Sequence, residues 1–329
     1  MPGRRIISVG AVSLCVLSLS GCASGVTQPS GSVLAATATP GTRSAAPEPT
    51  ASESTAPDPS ESSAPESPQP GGEESLTETF DYGNFTDPIA IDNRWLPFVV
   101  GTQRVLEGSA TVDGERIKRK VVITTTDLTK VIDGVRTVVN YELDYNSGEL
   151  VEAELAFYAQ DDDAAVWLVG EYPEEYEDGK FVEAPFWIAG SEEAKAGIMM
   201  QSEPSVATPS YSEGWGPKVG WNDRGRVFET GSETCVPAAC YKAVIVIDEF
   251  NRDEPDAHQL KYYAEGVGNV RVGWAGAKEE EQETLELVKL VQLSPDALAK
   301  VRAAALALDQ HAYVVSKDVY GRTEPAKPR

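Results

Sequence analysis

The chain has 329 residues, 41% hydrophobic and 24% charged, and sets 28 Lys plus Arg against 52 Asp plus Glu for a net charge of minus 24. Such an excess of acid repels phosphate backbones and anionic headgroups, which excludes nucleic acid as a partner and charge attraction as a route to membranes. Only His258 and His311 occur, so a His-rich zinc centre is excluded and a histidine base has two candidates.

The amino end, residues 1–21, opens with Arg4 and Arg5, continues through an apolar run from Ile6 to Leu19 and closes on Leu19-Ser20-Gly21-Cys22. A basic head, an apolar run too short to span a bilayer and small residues at its end form the layout of an export signal. The segment resembles the bacterial lipoprotein signal, whose lipobox has Leu, a small residue, Gly or Ala, then Cys. That resemblance implies cleavage before Cys22 and a lipid thioether on its sulfur. Anchorage then comes from acyl chains, each buried methylene contributing about 0.8 kcal/mol. The expected location is the extracytoplasmic face of the cell membrane.

Residues 22–76 contain no aromatic side chain and are dominated by Ser, Thr, Ala, Pro and Glu, as in Ser63-Ala64-Pro65-Glu66-Ser67-Pro68. So little apolar surface cannot offset the roughly 1–2 kcal/mol per residue that ordering a backbone costs. A disordered, proline-stiffened spacer is expected, able to stretch about 3.1 Å per residue.

Every Trp, Tyr and Phe lies at Phe80 or beyond, and a folded domain is expected over residues 77–316. Val135, Thr137, Val139, Tyr141, Leu143 and Tyr145 share one face of a strand while Arg136, Asn140, Glu142 and Asp144 share the other, the pattern of a half-buried strand. Ile117, Val121 and Ile123 repeat it, as do Val151, Ala153, Leu155, Phe157 and Ala159. Asp113-Gly114, Asp133-Gly134, Asn146-Ser147-Gly148 and Asp178-Gly179 separate such runs and supply the positive φ angles of tight hairpins. The stretch from Pro185 to Trp221, broken by Gly190, Gly197, Pro204, Pro209, Gly214 and Pro217, reads as a long covering loop.

Further strands are expected at Tyr241–Ile247, His258–Ala264 and Leu285–Leu293. One helix follows over 295–316, with Ser294 as N-cap, Pro295 at the first position, and Leu298, Val301, Ala305, Leu308 and Ala312 as an apolar stripe that must lie against the sheet. Residues 317–329 read as a disordered tail. The fold class is therefore mainly β: a large curved antiparallel meander, half-barrel-like, covered by one C-terminal helix and a long loop.

Cys235 and Cys240 are the cysteines left after Cys15 departs with the signal and Cys22 is acylated. An exported pair five residues apart points to a disulfide that pins a hairpin tip.

The sequence carries no Gly-x-Ser-x-Gly elbow, phosphate loop, His-Glu-x-x-His helix or dinucleotide fingerprint, so no enzyme activity and no cofactor are expected. Asp161 and Asp163 are the weak candidates for a metal, on a run better explained as a solvated turn. Glu174 with Glu175 and Glu152 with Glu154 are acidic pairs of the kind glycosidases use, although so acidic a chain always yields such pairs. Trp167, Trp187, Trp215, Met199 and Met200 are the candidate lining of an apolar pocket between sheet and covering loop.

Tyr262-Tyr263-Ala264-Glu265-Gly266-Val267-Gly268-Asn269-Val270, with the meander before it, resembles a motif of exported bacterial proteins, some related to the half-barrel lipoproteins of the LolA, LolB and LppX type. That resemblance is loose over residues 80–293. It implies a curved sheet around an apolar cavity, and hence an apolar or lipid-like ligand. Two alternatives stay open: a surface module that binds an envelope protein or wall polymer, and a hydrolase without a familiar motif.

Overall fold

The structure is a computed structural model and describes residues 75–329. The signal segment, Cys22 and the spacer as far as residue 74 lie outside the described residues.

Strands β1 (Thr102–Val112), β2 (Glu115–Ile132), β3 (Val135–Asn146), β4 (Glu149–Gln160) and β5 (Val166–Glu177) follow one another as an antiparallel meander. Asp113-Gly114, Asp133-Gly134 and Ser147-Gly148 each hold both residues at positive φ, between 46° and 95°. That is the two-residue turn whose twist matches paired strands. The long loop expected after Pro185 is punctuated by short strands: after β6 (Lys180–Glu183) come β7 (Trp187–Ile188), β8 (Lys195–Met200), β9 (Tyr211–Ser212) and β10 (Gly214–Trp215). A second meander contains β11 (Arg224–Val236), β12 (Ala239–Phe250), β13 (His258–Ala264), β14 (Gly268–Ala275) and β15 (Thr284–Gln292), before helix α1 (Pro295–Val315) and β16 (Lys327–Pro328).

Hydrogen bonds order the sheet β10-β8-β5-β4-β3-β2-β1-β15-β14-β13-β12-β11-β9, with β6 and β7 attached to β5 and β16 to β2. It is one large antiparallel sheet, open rather than closed into a barrel. Its first and last strands are nevertheless neighbours in sequence, since Gly214-Trp215 pairs with β8 and Tyr211-Ser212 pairs with β11. The segment around Glu213 thus holds both edges without giving them a shared ladder. Register shifts in β1–β15, β2–β3, β4–β5 and β11–β12 supply the bends that such curling needs.

One face of β3 and β4 packs under the helix. Leu128, Val139, Leu155 and Phe157 form a core with Ala305, Leu308 and Ala312 of α1, and Tyr141 and Leu143 pack against it. The helix begins as its sequence demands, with the Ser294 hydroxyl accepting from the Ala297 backbone N–H at 3.3 Å and Pro295 in the first turn. Within this apolar layer Lys130 and Asp309 form a buried ion pair at 2.9 Å.

The expectation of a disordered tail over residues 317–329 is corrected. Tyr320 is fully buried and donates its hydroxyl to Asp309 at 2.6 Å, and β16 pairs with Thr129 and Leu128 of β2. Asp309, on the buried side of α1, supplies the acceptor that fixes the segment.

Cys235 and Cys240 are bonded to each other at the tip of the β11–β12 hairpin. The tip docks on β15, where Ala238 N–H donates to the Leu287 carbonyl at 3.0 Å and Val236 joins a core with Leu106, Val121 and Leu287.

Candidate functional site

The other face of the same strands holds the unusual chemistry. Register sets Arg104, Ile123, Glu142 and Glu154 in one row across β1 to β4, and Leu106, Val121, Asp144 and Glu152 in the next. Glu142, Asp144, Glu152 and Glu154 are each 4% exposed or less. The polar side of β3, with Asn140, Glu142 and Asp144, is therefore interior, which corrects its reading as the wet side of a half-buried strand. The sheet curls this face inward, so alternation that ordinarily marks solvent marks a concavity instead.

The second meander contributes Glu249 on β12 and Lys261 on β13, whose side chains form an ion pair. Glu213 and Tyr211 add to them from the segment that holds the two sheet edges, and both are buried. Electrostatic coupling connects the group: Lys261 acts on Glu142, Glu213 and Glu249, Arg104 on Glu142, and Glu171 on Glu154. Trp187 donates its indole N–H to Glu171 at 3.0 Å.

Burial dominates the proton affinities. It pushes Glu142 and Glu249 up to about 7, although Arg104 and Lys261 pull them down. Glu154 and Glu213 rise well above the ordinary carboxylate range, through burial first and neighbouring carboxylates second. Burial likewise keeps Tyr158, Tyr211 and Tyr263 neutral. Several polar atoms on this face have no hydrogen-bond partner: Glu142 Oε2, Oε1 of Glu154, Glu213 and Glu249, Asn140 Oδ1 and the Tyr211 hydroxyl. Buried polar atoms in folded proteins are as a rule bonded to protein, water or ligand, because an unmet one costs about 1–3 kcal/mol.

The acidic zone is bounded along the strands. Beyond Val138 and Tyr158 the face is apolar and filled by Ile91, Trp95, Leu96 and Phe98, with Phe98 stacked on Tyr158 at 4.7 Å. On the other side Arg119 binds Asp144 at 3.0 Å, Asn146 at 2.9 Å and Glu283 at 2.9 Å, and Gln259 donates to Glu283 at 3.0 Å. Gly214 belongs to the junction by necessity, because a Cβ there would lie 2.6 Å from the Trp221 indole nitrogen and 2.7 Å from the Trp187 ring.

Of the residues that the sequence singled out as a pocket lining, Trp187, Met199 and Met200 come together in the apolar part of the concave core. Trp167 lies on the helix-covered face, its indole donating to Asp161 at 2.8 Å, and Trp215 is part-buried on β10. Four of these residues are thus divided between two cores, and the free space beside Phe186 and Trp187 is about 10 Å³, room for about one water. Asp161 accepts the backbone N–H groups of Asp163 and Ala165, while Asp163 accepts from the Asn84 amide, so both serve their turn. Among the described residues no three His, Cys, Asp or Glu side chains are arranged to hold a metal ion.

Both histidines meet carboxylates: His258 lies 2.8 Å from Asp248, and His311 2.6 Å from Glu174, which also accepts from the Tyr172 and Tyr176 hydroxyls. A surface pocket of about 750 Å³ is lined by Glu107, Lys118, Arg119, Lys120, Tyr145 and Ser147.

No family model matches the sequence, and no curated protein matches it. Among solved structures, a protein assigned as exported, with a YmcC-like fold, from Bacteroides fragilis is 13% identical and covers 60% of this chain and 99% of its own, with a TM-score of 0.37. A protein assigned as a lipoprotein from Parabacteroides distasonis is 12% identical and covers 61% of this chain and 100% of its own, with a TM-score of 0.32. Likeness at this level carries nothing about function.

Proposed function

We propose that the chain is an exported, lipid-anchored protein that holds a small polar ligand on the concave face of its sheet and performs no chemistry on it. The anchor rests on Leu19-Ser20-Gly21-Cys22 behind a basic and apolar leader, since two or more acyl chains keep a protein on a membrane where one lets it leave. The binding role rests on one observation: buried carboxylate oxygens of Glu142, Glu154, Glu213 and Glu249 that have no partner, gathered with the Tyr211 hydroxyl inside the sheet. An apolar or lipid-like ligand is less well served, because the apolar part of this face is filled by Trp95, Leu96, Phe98 and Trp187 and the helix-covered face is close-packed. A non-enzymatic role agrees with the lack of any familiar catalytic motif.

One measurement addresses anchor and ligand together: the intact mass of the protein extracted with mild detergent from its own membrane. Under denaturing conditions the mass should correspond to a chain that begins at Cys22 and carries a diacylglycerol and further acyl groups. Under native conditions an additional small molecule should remain bound and be lost on denaturation. A full-length, unmodified mass would overturn the anchor, and identical native and denatured masses would overturn the ligand.

A further inference from the structure

The chemical class of that ligand follows from a charge count on the concave face. Glu142, Glu154, Glu171, Glu213 and Glu249 face three cations, Arg104, Lys261 and Arg224, and all eight side chains are buried. Lys261 is ion-paired to Glu249, Arg104 acts on Glu142 while donating one N–H to the Val267 carbonyl at 3.1 Å, and Arg224 acts on Glu213 while donating to Ser210 at 2.9 Å, so three cations stand against five acids. Glu142 and Glu154 stand directly opposite each other on adjacent strands, where both can ionise only if something positive comes between them.

We propose that the concave face is a binding site for a small organic cation, a ligand bearing one or more ammonium or guanidinium groups. The inference rests on the proposed binding role of this same face. Two further features support it. Tyr211, part of no acidic pair, is buried with an unpartnered hydroxyl, and its ring and Glu213 Oε1 border the same space over Gly225, where a Cβ would lie 2.8 Å from the ring and 2.6 Å from the oxygen. The acids are also spread over β3, β4, β5, β12 and the Glu213 junction instead of converging on one point. That spacing suits N–H donors distributed along a molecule better than a single metal ion, which needs its oxygens in one coordination shell.

The test uses the full chain, stripped of any bound molecule, in titration calorimetry against 1,4-diaminobutane and agmatine, with 1,4-butanediol and succinate as the neutral and anionic counterparts of the diamine. The cations are expected to bind at least tenfold more tightly than the diol or succinate. Glu154→Gln and Glu213→Gln, which keep shape and remove charge, should weaken the cations tenfold or more, and Tyr211→Phe should weaken them less. Each variant is first checked for a cooperative melting curve no lower than the parent's, and Glu192→Gln on an exposed turn is the control expected to bind as the parent does. Tighter binding of the diol or succinate would overturn the cation while leaving an interior ligand site standing. Retention of a neutral or anionic molecule in the native mass measurement would do the same. Failure of all four compounds to bind, with no retained molecule in that measurement, would overturn both.

Discussion

Asp309→Ala is expected to destabilise the domain by about 3–5 kcal/mol, the range for removing one partner of a buried ion pair. The Lys130 ammonium is fully buried, and besides Asp309 it meets the Tyr313 hydroxyl at 2.9 Å and the Glu324 carbonyl at 2.7 Å. Without Asp309 it keeps two neutral acceptors and the Tyr320 ring, 4.3 Å away, and no countercharge. Asp309 also accepts from the Tyr320 hydroxyl and from Ala326 N–H at 3.1 Å, so the substitution should release residues 316–329 as well. Urea unfolding and limited proteolysis check this: the midpoint should fall and early cleavage should appear after Val315. Replacing both partners together, as Lys130→Met with Asp309→Leu, should recover the part of the loss that comes from the unpaired Lys130 charge and leave the part that comes from the Tyr320 hydroxyl and Ala326 N–H. A loss below about 1 kcal/mol for the single variant would mean that the pair does not hold the helix and tail.

The second large effect is a dependence of stability on pH that runs opposite to that of most acidic proteins. Glu142 and Glu249 are raised from 4.5 to about 7 in the folded chain by burial. Below about pH 4 both states carry these protons and no penalty arises. As pH rises past the unfolded value the unfolded chain releases protons that the folded chain keeps, and stability falls until the folded groups ionise near 7. For Glu142 alone the displacement corresponds to about 3 kcal/mol. Glu154 and Glu213, pushed up well above the carboxylate range, extend the fall to higher pH. The ligand-free protein should therefore melt higher at pH 5 than at pH 8, by on the order of 10 °C. Glu142→Gln, which has no proton to lose, should flatten the curve. A melting temperature that climbs from pH 5 to pH 8 would show that these acids are not buried as described.

How much of this was legible depends on what each residue pattern can encode. Period-two alternation on β3 identified Val139, Tyr141 and Leu143 as one face, and the helix does pack there. It assigned Glu142 and Asp144 to water because alternation separates two faces without saying which are enclosed. A finer signal was present: Glu142, Asp144, Glu152 and Glu154 share one face of a single hairpin with no Lys or Arg between them, which a solvated sheet surface would scarcely tolerate. Arg104, Glu213, Glu249 and Lys261 had no such signal, since they meet only through the curling of a sheet whose edges join at Tyr211 to Trp215. Local chemistry was easier to read. Ser294-Pro295 marked the helix start, and Cys235 and Cys240 marked the pinned hairpin tip. Tyr320 was the overlooked clue to the ordered tail, an aromatic in an otherwise polar segment whose hydroxyl finds Asp309.

On the concave face, buried charge is to be met by a ligand. A crystal structure of the protein purified from its own envelope, without added amines, tests that most directly. Ordered density of a small molecule within hydrogen-bond distance of Glu142, Glu154 and Glu213 is the predicted result. Carboxylates bonded only to one another and to water, in protein that also binds no added cation, would contradict it.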